Sequence, residues 1–200
     1  MFEPDSDDKL LLALKAVVFI DGIPQSPSRG GKWNKDGYII ATCDRCKTPM
    51  ESNPDSCGCG IYATTSSVIL DSYILSDYRL LSPVLLVAAC GETDVWAAGW
   101  KAQAAQAHYI VDYKRGKASR MQQILAMEVA EKYFGIEVVQ YEYAIDLIGM
   151  SWKDCGYRLR AVSRPRPSNN DVYNDVYNSM SFEKVQRSIR EEWLSGERVE

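Results

Sequence analysis

Four of the six cysteines in this 200-residue chain fall within residues 43–59, as Cys43-x2-Cys46, ten residues, then Cys57-x-Cys59. Four soft thiolates are what a tetrahedral structural zinc site takes, and a fully cysteine-ligated ion has no open position for catalysis. In C-x2-C a tight turn brings both sulfurs to one side. In an extended C-x-C, residues i and i+2 face the same way. Gly58 and Gly60 permit positive φ, so backbone N–H groups can turn toward the thiolates. Pro49 and Pro54 make a short loop of the intervening residues. Zn2+ on Cys43, Cys46, Cys57 and Cys59 is the expected chemistry. Buried free thiols, a disulfide and an iron–sulfur cluster are the alternatives, although the spacing matches none of the common ferredoxin runs.

Little else in the chain suggests covalent chemistry. Cys90 lies in an apolar run, Cys155 follows Asp154, and His108 is the only histidine. A Cys90–His108 nucleophilic pair is conceivable, but no third group orients it. There is no Ser-His-Asp signature, phosphate-binding loop or dinucleotide glycine fingerprint. The expectation is a protein without enzymatic activity.

Charge is uneven. Residues 113–166 hold ten Lys/Arg against six Asp/Glu, a net +4 in a chain whose total is −4. A nucleic-acid reading would place Lys114, Arg115, Lys117, Arg158, Arg160, Arg164 and Arg166 on phosphates and stack Tyr157 on a base. The plainer reading is a solvated basic face.

The elements that must position these groups follow from pattern. Leu10–Ile20 is apolar and ends in β-branched residues, which predicts a strand over its second half. Residues 21–37 are rich in Gly, Pro, Ser and Asn and are expected to be loop. A strand from Gly37 leads into Cys43, and Ile61–Ala63 resumes extended structure. Residues 66–81 fit strand or helix. Residues 84–92 form the most apolar run and predict a buried strand, with a turn over 91–94 and an antiparallel partner over 95–105. A helix is predicted over 120–134, with Ser119 and Gln122 at capping-box spacing and Gly135 at C′. Alternation from Val139 to Leu147 predicts a half-buried strand. Residues 163–180, with the tandem DVYN-DVYN, read as a polar linker. A helix over 181–195 then carries Phe182, Val185, Ile189 and Trp193 on one stripe, suited to a partner protein or a second copy.

The totals agree with a globular chain. The apolar share is 46%, and the acidic N-terminal stretch, its apolar part interrupted by Lys15, is not expected to be a signal peptide or a membrane span. A cytoplasmic protein with reduced thiols is expected, which favours metal over disulfides.

From CGCGIYA the sequence resembles a family of small proteins of actinobacteria and their phages, for which no activity is known. The resemblance runs through Trp33, Gly37, Ala41 and Cys43, CGCGIYA at 57–63, VLLVAACG at 84–91, GWKAQAA at 99–105 and EKYFGIEV at 131–138. It covers about residues 10–140. This chain departs in having Cys46 where relatives carry a histidine before the C-x-C pair, and Lys101 where arginine is usual. The resemblance implies a metal-stapled α+β domain.

The resulting expectation is an α+β domain over 10–162, with a mainly antiparallel sheet, a four-cysteine zinc knuckle, one central helix and a C-terminal amphipathic helix. It would act as an intracellular, zinc-stabilised protein-interaction module, possible origins including a phage. A nucleic-acid-binding regulator using residues 113–120 and 156–166 is the alternative.

Overall fold

A computed structural model describes residues 9–27, 31–42, 59–74, 82–114 and 120–157. Its centre is a mainly antiparallel sheet organised on one long hairpin, β6 (Val84–Trp96) and β7 (Gly99–Asp112). Val84–Ala88 is buried throughout, which is why it reads as a continuous apolar run. β1 (Leu12–Ala16) pairs with β6 from Leu12↔Ala88 to Ala16↔Val84. β5 (Ile61–Thr64) bridges β1 at Leu14↔Thr64 and pairs with β7 from Ile61↔Ala102 to Thr64↔Gly99. The pairings β1–β6–β7–β5–β1 therefore close into a ring, as in a small barrel, and leave β1 no free edge.

The remaining edge of β7 is shared end to end. After β5 comes β4 (Tyr38–Ile40), opposite Ala104–Gln106. Beyond it β8 (Val138–Gln140) pairs in parallel with Ile110–Asp112. β2 (Val18–Ile20) and β3 (Ile23–Gln25) form a separate two-stranded hairpin.

The expected α+β class with a mainly antiparallel sheet is observed, with several corrections. Three helices, not one, lie among the described residues: α1 (Ser67–Ile74), α2 (Arg120–Phe134) and α3 (Tyr141–Asp154). The helix over 120–134 stands where the pattern places it, and Gly135 has φ 65° past its end. Residues 141–147 are helix rather than strand. Ala144, Ile148 and Trp152 are buried at a spacing of four, whereas the alternating Tyr143 is 49% exposed. That helical stripe outweighs an alternation carried by aromatic and β-branched residues. The β6–β7 turn is at Ala97–Ala98, since Trp96 pairs with Gly99. Gly91 instead sits in the register shift between Cys90 and Thr93, a bulge that bends the hairpin. The stretch expected as loop contains β3, because Asp21 (φ 48°) and Gly22 (φ 77°) close a two-residue hairpin turn.

The helices are tied to the sheet by named contacts. On α3, Trp152 Nε1 donates to the Leu12 carbonyl at 2.7 Å and Ser151 Oγ accepts from Leu12 N–H at 2.8 Å. Tyr113 Oη donates to Asp71 Oδ1 of α1 at 2.8 Å. Arg120 opens α2 with two hydrogen bonds to the buried Asp112 carboxylate at the end of β7. Trp33 packs edge-on against Phe134, 6.1 Å between ring centroids. Trp33, Trp100 and Trp152 are all buried. Each removes on the order of 200 Å² from water, or roughly 5 kcal/mol of transfer free energy.

Candidate functional site

β4 and β5 pair end to end along one edge of β7. Ile39 faces Ala105, and the next inward-bonded residue, Ala41, donates its N–H to the Gln103 carbonyl at 2.8 Å. The next described pairing with β7 is Ile61, opposite Ala102. The two pairings face consecutive residues of the same strand, one step of about 3.4 Å apart along it. Cys43 follows Ala41 by two positions, and Cys59 precedes Ile61 by two.

Of the four candidate ligands only Cys59 is among the described residues, and it is 1% exposed. Cys43, Cys46 and Cys57 lie outside them. Among the described residues no group of three or more His, Cys, Asp or Glu side chains could hold a metal. Gly60 has φ 134°, and a Cβ there would lie 2.6 Å from Lys101 Cγ, so the position after Cys59 requires glycine. Lys101, across the ladder from Tyr62, is itself buried and ion-paired with Asp94 at 2.8 Å. Its pKa is raised, chiefly by the hydrogen bond to Asp94, with the Cys59 sulfur among the smaller electrostatic contributors.

A second constellation lies on the other side of Tyr62, and the sequence reading gave it no role. Lys15 is the next-to-last residue of β1 and is 5% exposed. Its Nζ donates to the Tyr62 carbonyl at 2.8 Å. Burial lowers its pKa from 10.5 to about 8, and among the described residues no carboxylate pairs with it. Lys15 lines a cavity of about 50 Å³ together with Tyr62, Pro27, Trp96 and, from α1, Ile69 and Leu70. Tyr62 and Trp96 approach to 6.1 Å between ring centroids. The signal available in sequence was a single charge inside the otherwise apolar run Leu10–Ile20.

The other predicted positions are not brought together. Cys90 pairs with Ala104, while His108 is the extra residue in the register shift opposite Leu86 and Val87. They are separated by four residues of β7, on the order of 13 Å. Burial raises the Cys90 thiol pKa and lowers that of His108. Cys155 Sγ points to the Lys9 and Leu10 carbonyls at 3.6 and 3.9 Å.

Of the basic segments, Lys114 is exposed, and Tyr157 is 45% exposed with its ring 5.8 Å from that of Trp152. Tyr113 packs on Tyr141 at the start of α3, and Tyr157 follows its end, so the two basic segments begin about 20 Å apart. Arg115, Lys117, Arg158, Arg160, Arg164 and Arg166 lie outside the described residues, as do Phe182, Val185, Ile189 and Trp193 with the whole of 163–195. No described helix is long and apolar enough to cross a membrane, which says nothing of crossing by strands.

Comparison of the chain with protein-family models, with curated proteins and with solved structures gives no match.

Proposed function

We propose that the protein is an intracellular interaction module in which Cys43, Cys46, Cys57 and Cys59 hold one structural Zn2+ at the neck of residues 42–60. The observation that carries this reading is the pair of anchors Ala41 and Ile61 on consecutive positions of β7. A segment whose ends leave and return at one place suits a cross-link between its two halves, and the C-x2-C and C-x-C pairs begin and end it. Burial of Cys59, the glycine requirement at Gly60 and the Lys101 charge beside the sulfur fit a thiolate ligand. The recognition element of the module would be the terminal stripe Phe182, Val185, Ile189 and Trp193, offered to a partner protein or a second copy.

Elemental analysis of the purified, reduced chain tests the staple. About one zinc per chain is expected, with a lower melting temperature after chelation and release of zinc on Cys59→Ser. Metal-free protein with four reactive thiols would remove the proposal. Light scattering of the full chain and of a form ending at residue 165 tests the tail: loss of self-association or of partner binding on truncation supports it, and unchanged association refutes it.

A further inference from the structure

We propose that the cavity between α1 and strands β1 and β5 binds a short-chain monocarboxylate, its carboxylate on the Lys15 ammonium and its apolar end against Ile69, Leu70 and Trp96. The inference is independent of the metal.

Three observations converge. The first is an unbalanced charge. Lysine is almost never fully buried unless paired. Among the described residues Lys15 has a neutral carbonyl as its polar contact, at 2.8 Å, and no ion pair. An ammonium carries three donors, so two remain after Tyr62. The second is that, among the described residues, acids of the elements beside β1 are engaged elsewhere. Asp71 of α1 accepts from Tyr113, and Asp94 of β6 holds Lys101. β5 contributes Tyr62, and α3 presents Trp152 and Ser151 to β1. Among the described residues lining the cavity, Lys15 and Tyr62 are the titratable ones.

The third is shape. A water needs about 10–15 Å³ of such space, so about 50 Å³ accepts the head and first carbons of a small acid rather than a large ligand. Ile69 and Trp96 are 38% and 40% exposed. They give the cavity an apolar rim open to solvent, along which a short aliphatic chain can lie. Anion pairing supplies what the lysine lacks, and the aliphatic end covers the rim.

The test is titration of the full chain with butyrate and with butyramide, its uncharged isostere, by calorimetry at pH 7. Butyrate is expected to saturate one site per chain, with butyramide at least about tenfold weaker, roughly one charge-assisted hydrogen bond. Lys15→Met should weaken butyrate by a similar factor. In the unaltered protein butyrate affinity should be level from about pH 6, where the ligand is ionised, to about pH 8 and fall about tenfold per pH unit above it, as Lys15 loses its proton. Equal affinity for the two ligands, no saturation by butyrate into the tens of millimolar, or an affinity flat across pH 8–10 would each overturn the site. The pH series needs no variant and so does not depend on the folding of Lys15→Met.

Discussion

Two buried lysines flank Tyr62, and the sheet treats them in opposite ways. Lys101 is 7% exposed and Lys15 is 5% exposed, so both side chains lie buried along the sheet. Lys101 faces Asp94 across the hairpin and is held at 2.8 Å, and its pKa rises. Lys15 faces Leu85 on the same strand β6, and its pKa falls to about 8. Two things differ: the cross-strand partner, a carboxylate against a leucine, and desolvation, which is the cause of the Lys15 shift and only a secondary one at Lys101. One lysine is therefore part of the scaffold. The other stores an unfavourable charge next to a cavity, as perturbed groups at binding sites do.

The largest effect that could break this contrast is Lys15→Met. A fall from 10.5 to about 8 corresponds to about 3 kcal/mol of destabilisation at pH 7. Methionine keeps the apolar stem and removes the charge, so the variant should be more stable by about that amount, less the lost hydrogen bond to Tyr62. The pH dependence has a definite sign. Below about pH 8 both folded and unfolded chains carry the proton and the full penalty stands. Between about pH 8 and 10.5 the unfolded chain binds more protons, so the unaltered protein gains stability as pH rises and approaches the variant. Urea unfolding at pH 7 and pH 10 measures both. A variant that is neutral or destabilised at pH 7 would mean Lys15 is compensated after all.

Gly60→Ala acts on the other lysine. The residue must adopt φ 134°, and its Cβ would press on Lys101 Cγ at 2.6 Å and Cδ at 3.0 Å. A cost of about 2 kcal/mol is expected from the backbone conformation and the displaced stem together. Adding Lys101→Ala should recover the steric part and leave the backbone part, which a double-mutant cycle in thermal or urea unfolding separates. Full additivity would mean that Gly60 and Lys101 do not meet.

The same contrast marks what the sequence makes legible. Strand and helix existence was readable where one pattern acted alone: Val84–Ala88 as a buried run, residues 120–134 with Gly135 after them, and the strands on either side of the cysteines. Where two signals competed, the local one misled. Gly91 looked like a turn but is a bulge, because the hairpin continues to a turn built from two alanines. Asp21-Gly22 lies in a stretch of prolines and serines that reads as loop, yet it closes a hairpin. The alternation over 139–147 concealed the four-residue spacing of Ala144, Ile148 and Trp152. The cysteine spacing suggested a ligand set, but the closeness of Ala41 and Ile61 is a property of their shared strand and has no local signature. Lys15 was visible only as a charge in an apolar run. That its cross-strand neighbour is Leu85 rather than a carboxylate is decided seventy positions away, beyond the reach of any local pattern.

The smallest and most direct test is Asp94→Asn, which should make Lys101 resemble Lys15. The asparagine is close in shape but lacks the charge that raises the lysine pKa. Asp94 is 48% exposed at its side chain, so solvent screens the pair and a loss of about 1 kcal/mol is expected at pH 7. The raised pKa means that this contribution is present at neutral pH and is lost as pH climbs above the unfolded value of 10.5 through the folded one. The variant and the unaltered protein should therefore converge at high pH, in the direction opposite to the gain expected from Lys15. Urea unfolding of Asp94→Asn at pH 7 and near pH 11 distinguishes the two cases. If the difference persists undiminished at high pH, Asp94 supports the sheet by its shape and hydrogen bond, and the charge on Lys101 is not what separates the two lysines.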